Sequence, residues 1–156
     1  MSAPKAEIYC LLVPISEERL LVPRGCITEV INYVVPTPME GAPPWYLGTI
    51  PWNGMRLPLV SFEAACGRNL PRSSGRTLIV VMQGITGLMD GGHFALLTQG
   101  FPQLVRVSPE VLHLDDSRQF EEPCPVTCQL RMASEYPLIP DFELLEAMIA
   151  EETRVA

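Results

Sequence analysis

The stretch GAPPWYLGTIPWNGMRLPLVSF, residues 41–62, decides the fold, because it sets an Asn53-Gly54 pair between two apolar runs. Both central residues of a type I′ turn need positive φ, which Asn and Gly tolerate best, so the pair predicts a tight hairpin turn. Ahead of it, Trp45, Tyr46, Leu47 and Ile50 are too apolar for an exposed loop. Gly48 falls where a side chain would crowd a closely approaching backbone. Behind it, Met55, Leu57 and Leu59 alternate with Arg56 and Pro58, which buries one face of a strand and turns the other to solvent or a partner.

The rest of the chain fits a β protein of one domain. Its 156 residues can bury about two thirds of the unfolded surface in one core, or in two small ones sharing strands. Hydrophobic residues make up 47%, which is globular, and 16 prolines with 11 glycines favour short strands and turns over long helices. A net charge of −7 repels phosphate backbones and anionic headgroups, so nucleic acid is not an expected partner. No apolar run reaches the roughly 18–20 residues of a membrane span, and Met1 to Glu7 lacks the layout of a signal peptide. Direct membrane insertion is not expected, and the expected location is the cytoplasm. The five cysteines are odd in number and irregular in spacing, which suits free thiols in a reducing compartment, with Cys10 and Cys26 buried in strands. Cys124 and Cys128 are the one close pair, and without two further ligands at paired spacing no metal site is expected.

Taken in order, Glu7 to Val13 reads as a buried strand, Ser16 to Arg19 as a turn, and Leu20 to Val22 as a second strand. Cys26 to Val35 reads as a third, with Ile27 and Glu29 on one face and Cys26, Thr28 and Val30 on the other. Pro36 to Pro44 is a stiff connector, since its prolines remove donors and exclude helix. After the hairpin, Glu63 to Cys66 allows one helical turn. Gly67 to Arg76 is a polar loop bearing the one basic cluster, Arg68, Arg72 and Arg76, either a solubilising tip or a dock for an acidic surface. Thr77 to Met82 and Ile85 to Met89 read as a hairpin, and Phe94 to Leu97 and Phe101 to Val107 as further strands. Ser108-Pro109-Glu110 opens a helical turn. Asp115 to Pro123 is an acidic loop. From Val126 to Met132 strict alternation points Val126, Cys128, Leu130 and Met132 one way. The tail from Asp141 is the one convincing helix, with Phe142, Leu145 and Ile149 as its buried stripe and its acids facing water.

Nothing in this order carries catalysis. Both histidines, His93 and His113, lack a nucleophile setting, no glycine cluster has phosphate-loop spacing, and Lys5 is the sole lysine. Asp115 and Asp116 sit in a polar stretch where nothing would raise a carboxyl pKa. No cofactor and no enzymatic activity are expected.

Residues 41–62 resemble the central signature of the CheW family, the adaptors of bacterial chemosensory arrays. In that family a Pro-rich approach leads to a Gly, then to an Arg-Gly turn and an apolar strand ending near an acid. Cys26 to Ile31 resembles the family's upstream strand with a glutamate, Ile85 to Asp90 its Gly-Leu-x-x-Asp segment, and Tyr136 to Leu145 the strand entering its closing helix. The resemblance implies a CheW-like fold of two intertwined SH3-like five-stranded β-barrels with a C-terminal helix. It also implies a non-enzymatic adaptor that bridges the CheW-like regulatory domain of a CheA-type histidine kinase to the cytoplasmic tips of methyl-accepting chemoreceptors. By position, Ile27, Glu29, Gly48 and Asn53 would face the receptor, Gly48 and Gly54 acting through backbone shape. Gly87, Leu88 and Asp90 would lie in the second barrel, where the kinase contact could fall. Two departures stand out: Asn53 replaces the family's turn arginine, and Ser61 stands near its usual aspartate. These are closest in flavour to the divergent adaptors of type IV pilus twitching systems. A small-ligand-binding or enzymatic β-barrel is the alternative, with Trp45 and Trp52 lining a pocket and Cys66 or His93 doing the chemistry.

Overall fold

Two sheets and a closing helix make up the described residues, 7–121 and 124–155, of this computed structural model. In chain order the strands are β1 (Ile8–Ile15), β2 (Glu18–Pro23), β3 (Ile27–Asn32), β4 (Tyr46–Trp52) and β5 (Met55–Val60). The one-turn helix α1 (Phe62–Ala65) follows, then β6 (Leu78–Gln83), β7 (His93–Thr98), β8 (Gln103–Val107), β9 (His113–Asp115), β10 (Val126–Arg131), β11 (Leu138–Pro140) and helix α2 (Phe142–Val155). One sheet has six strands in the order β8-β1-β2-β11-β10-β9, and the other has five in the order β3-β6-β7-β5-β4. The chain thus starts in the first sheet, builds all of the second, and returns. The six-stranded sheet exceeds the expected five by the three-residue β9. Residues 1–6 of the stretch read for a signal peptide, together with Glu122 and Pro123 of the acidic loop, lie outside the described residues.

The central hairpin forms as its sequence predicts. Asn53 and Gly54 take φ of 50° and 77°, and Trp52 pairs with Met55 across the turn. Gly48 has φ of 129°, and a Cβ there would come within 2.7 Å of the Thr37 carbonyl carbon and 2.9 Å of Pro38 Cα. The space is taken because the Pro-rich connector lies against β4, with Thr37 and Thr49 exchanging backbone hydrogen bonds of 2.8 and 3.0 Å.

Three buried clusters replace the one or two cores expected. The interior of the five-stranded half holds Ile50, Leu57, Leu59, Ile79, Val81, Ala95 and Leu97. A smaller cluster of Cys10, Leu12, Leu21 and Val107 fills the six-stranded half. The largest lies between the halves, where Val13, Leu20, Val22, Val80, Met82, Phe94 and Leu96 meet Phe142, Leu145 and Ile149 of α2. β6 and β7 serve two clusters by alternation: Ile79, Val81, Ala95 and Leu97 point into the five-stranded half, and Val80, Met82, Phe94 and Leu96 into the centre. This is why both read as nearly continuous apolar runs.

β-Bulges interrupt three strands, and on β3 and β10 they correct the faces predicted from alternation. On β3, Ile27 pairs with Met82 but Glu29 with the adjacent Val81, so Thr28 is the extra residue. Ile27 therefore packs toward the centre and Glu29 lies on the opposite face, rather than beside it. On β4 the slip falls between Tyr46 and Gly48, and on β10 between Val126 and Cys128. Val126 accordingly packs at the centre, while Leu130 and Met132 pack in the six-stranded half. Each bulge reverses strand parity, which lets one strand serve two interiors.

Other expectations are corrected as well. Ile85 to Met89 is a loop rather than a strand, and β6 pairs with β7 instead. Gly87, Leu88 and Asp90 therefore belong to the five-stranded half, with Ile27, Glu29, Gly48 and Asn53, and not to a second barrel. Ser108-Pro109-Glu110 makes a turn closed by Val111 N donating to Ser108 O at 3.1 Å, with no helix. β3 stops at Asn32, short of Val35. Helix α2 starts where predicted, Asp141 Oδ1 accepting from Leu144 N at 3.0 Å, but Glu146 is fully buried instead of facing water.

Residues 61–68 tie the two halves together. Ser61 caps α1 by accepting from Ala64 N at 3.2 Å. Glu63, buried, accepts from Ser16 N of the β1–β2 turn at 2.8 Å. Arg68 pairs with Glu18 at 2.6 Å, and Arg118 joins the same carboxylate. Cys66 forms a disulfide with Cys124 across 58 residues of sequence, so three cysteines, not five, are free. Its partners are brought together by the fold alone, and sequence spacing gives no sign of the bond.

Candidate protein-docking site

One end of the five-stranded half gathers most of the residues singled out in the sequence. β3 and β4 are its two edge strands, so they need a link to close the sheet on itself. Trp52 Nε1 of β4 donates to Glu29 Oε2 of β3 at 2.8 Å and supplies that link. The Trp52 ring also packs against the interior below it, and its face meets His93 at a centroid distance of 5.0 Å. His93 Nδ1 is 3.0 Å from Gly91 O. A Cβ on Gly91 would come within 2.9 Å of Met55 Sδ, which shows how closely the loop before β7 lies against the hairpin tip.

Farther along the hairpin, Arg56 fixes the outer face of β4. Its Nε donates to Thr49 Oγ1 at 3.0 Å, and its terminal nitrogen donates to Thr37 Oγ1 at 2.9 Å and Thr49 O at 3.1 Å. The guanidinium thereby joins β5, β4 and the Pro-rich connector in one plane, a use that lysine could not reproduce. Asn53 and Gly54 remain exposed at the tip, and Asn53 has no side-chain bond among the described contacts.

The β6–β7 loop sits beside this end. Leu88 and Asp90, with Pro58 of β5 and Ile149, Ala150 and Thr153 of α2, line a small cleft of about 160 Å³. Ile85 and Leu88 project outward, 56% and 41% exposed, while Met89 is buried beneath them. Of the eight candidates, Glu29, Asn53, Gly54, Gly87, Leu88 and Asp90 thus lie exposed at or beside one end. Gly48 is buried against Thr37 and Pro38, and Ile27 is half-buried on the face that packs inward.

Sequence reasoning missed Trp52 as the partner of Glu29, Arg56 as the clamp, and Glu146. A signal for Glu146 existed: it lies four residues after Phe142 and three before Ile149, inside the apolar stripe.

Burial pushes the Cys10, Cys26 and Cys128 thiols up, and the Glu146 carboxylate adds to the rise at Cys26, so these thiols stay protonated and weakly reactive. Burial would raise the Glu18 carboxyl, but the guanidiniums of Arg68 and Arg118 outweigh it and hold the group below its ordinary value. Asp115, half-buried, is held low by hydrogen bonds from Ser117 and then Gln129. The residues that an enzymatic barrel would need are engaged in packing. Trp45 lies edge-on to Tyr46 at 5.9 Å against the central cluster, remote in role from Trp52, and Cys66 is in a disulfide. Among the described residues no group of three His, Cys, Asp or Glu could hold a metal ion. No helix among them is long and apolar enough to cross a membrane.

A family model described as CheW-like domain matches residues 9–127. The chain belongs to the CheW-like domain family. The crystal structure of the scaffolding protein TtCheW from Thermoanaerobacter tengcongensis superposes with a TM-score of 0.72 at 13% identity, covering 86% of this chain and 89% of that one. At that identity the likeness concerns the fold, and it shows the two halves to be the paired SH3-like barrels of a CheW-like chain. No curated protein matches in sequence. Within the CheW-like fold, the end closed by Glu29 and Trp52 is an outer surface built from paired side chains, with the apolar interior of the five-stranded half behind it.

Proposed function

We propose that this chain is a chemotaxis scaffold, a non-enzymatic adaptor that couples a CheA-type histidine kinase to chemoreceptor tips from the cytoplasm. The observation that carries this reading is the CheW-like family match across residues 9–127. It is supported by two filled barrels that hold an exposed end rigid, with Asn53-Gly54, Glu29, Leu88 and Asp90 displayed there. Binding by such a surface rests on shape and buried apolar area, and an array's multivalency raises avidity where each contact is modest.

Asn53, at the position of the family's turn arginine, removes a fixed positive charge from that end. We infer from this that the partner is a divergent receptor, and that the output is type IV pilus twitching.

Calorimetry with a kinase's adaptor-like domain and with receptor-tip fragments tests the proposal. Binding to at least one, with the folded protein, supports it; binding to neither overturns it. Asn53→Arg is expected to gain affinity for a standard receptor tip, and no gain dismisses the divergent-receptor explanation. Loss of twitching with intact swimming in a deletion strain is the expected phenotype, and the reverse would refute the pilus assignment.

A further inference from the structure

The Cys66–Cys124 bond joins a fixed point to a loosely held one. Cys66 is the C-cap of α1, where its amide donates to Phe62 O at 3.1 Å, and α1 is itself tied to the β1–β2 turn through Glu63. Cys124 ends a stretch that leaves β9 and has no strand pairing before β10. Among the described residues from Asp116 to Cys124, three attachments reach beyond the loop. Arg118 pairs with Glu18 and donates to Gln129 Oε1 at 3.3 Å, Phe120 lies half-buried against the central cluster, and Cys124 bonds to Cys66. The Arg118 guanidinium lies 4.7 Å over the Phe120 ring, so the first two act as one unit. From Pro125 onward the chain is fixed again, the Pro125 carbonyl accepting from Asp141 N at 2.8 Å.

This bond is a removable tie. Both cysteines are half-buried and neither is enclosed, so a thiol can approach from solvent. Three apolar clusters hold the fold without it, and Glu63 and Arg68 still join the two halves when it is open. Burial keeps the Cys10, Cys26 and Cys128 thiols protonated, which makes them poor attackers, so opening needs a donor from outside the chain. In the cytoplasm proposed above, a disulfide serves as a transient, redox-sensing bond and not as a permanent staple.

We propose that the Cys66–Cys124 bond is a redox latch: a protein dithiol of the thioredoxin class opens it and frees the β9–β10 loop from α1, while the two halves stay joined. One thiolate of the donor attacks a sulfur of the bond, the S–S bond breaks, and the departing sulfur takes a proton. The donor's second thiolate then attacks its own sulfur in the mixed disulfide and releases the other cysteine as a thiol. Two electrons and the donor's two protons pass to the chain, and the donor leaves as its own disulfide.

The native protein is treated with reduced thioredoxin and then with trypsin, and mass spectrometry follows cleavage at two bonds. The bond after Arg118 lies in the loop, and the bond after Arg106 lies in β8, paired with β1, where cutting requires the sheet to open. Reduction is expected to speed the cut after Arg118 at least about tenfold and to leave the cut after Arg106 and the far-ultraviolet circular dichroism unchanged. Glutathione disulfide should close the bond again and restore the slow rate. The Cys66→Ser, Cys124→Ser double variant should behave as the reduced chain with or without thioredoxin. A bond that thioredoxin reduces only in denaturant, an unchanged rate after Arg118, equal acceleration after Arg106, or failure to close again each overturns the latch. No step uses a partner, so the result stands whichever way the adaptor reading falls.

Discussion

Replacing Gly48 by alanine tests how the connector and hairpin are held. At φ of 129° the position lies in a region that L-residues rarely enter, which costs about 1–3 kcal/mol in strain. The new Cβ would also overlap the Thr37 carbonyl, so the connector must move away from β4. That movement breaks the two Thr37–Thr49 backbone bonds, worth about 1 kcal/mol each. The sum is about 3–5 kcal/mol, a large part of the roughly 5–15 kcal/mol that holds a domain folded. With a urea slope of about 2 kcal/mol/M, the unfolding midpoint should fall by about 2 M. Gly54→Ala is the matched control. Its φ is 77° but nothing lies within 4 Å of its Cβ, so only backbone strain of about 1–2 kcal/mol applies. Urea titrations followed by tryptophan fluorescence give both values. Equal losses in the two variants, or a loss under about 1 kcal/mol for Gly48→Ala, would refute the close-approach account.

Three further outcomes are expected. Alkylation in denaturant should block three thiols before reduction and five after it, and five in both would remove the Cys66–Cys124 bond. Glu18→Gln should destabilise the protein by about 1–2 kcal/mol at neutral pH, a value already reduced for the solvent that screens Arg68 and Arg118. Because the Glu18 carboxyl titrates below 4.5 in the folded protein, its stabilisation is complete above that pH and disappears as pH falls through the folded value. The gap between the two proteins should therefore narrow as pH falls below 4.5, and a gap that widens on acidification would contradict the pairing. Glu29→Gln, which keeps an acceptor for Trp52, should cost under about 1 kcal/mol, while Trp52→Phe, which loses the link between edge strands, should cost more; the reverse order in thermal unfolding would reject the closure role.

Local chemistry was legible in the sequence, and register was not. Asn53-Gly54 announces its turn because few residues accept positive φ, and Gly48 announces close approach because it interrupts an apolar run. Asp141 and the stripe Phe142, Leu145, Ile149 locate α2 for similar reasons. Period-two alternation then fails at Thr28, at Leu47 and at Thr127, where a bulge reverses the faces and no residue type demands one. The same limit hides Ile85 to Met89: its β-branched and apolar residues suggest a strand, but the carboxylate that claims its amides comes from Glu146, distant in sequence. The Cys66–Cys124 bond and the Trp52–Glu29 link are likewise products of folding, formed by residues whose spacing is arbitrary. Of the candidate docking surface, the turn and the glutamate could be named in advance; their common location could not.

The short segment from Ser61 to Arg68 has a consequence for how the two barrels travel together. Its three attachments answer to different chemistry. A reductant severs the one at Cys66, high salt weakens the one at Arg68, and neither breaks the buried hydrogen bond from Ser16 N to Glu63. No single change of surroundings frees one barrel to swing relative to the other. A binding partner long enough to span both would find the same separation in every environment where the chain stays folded, as on a gauge block cut to one length.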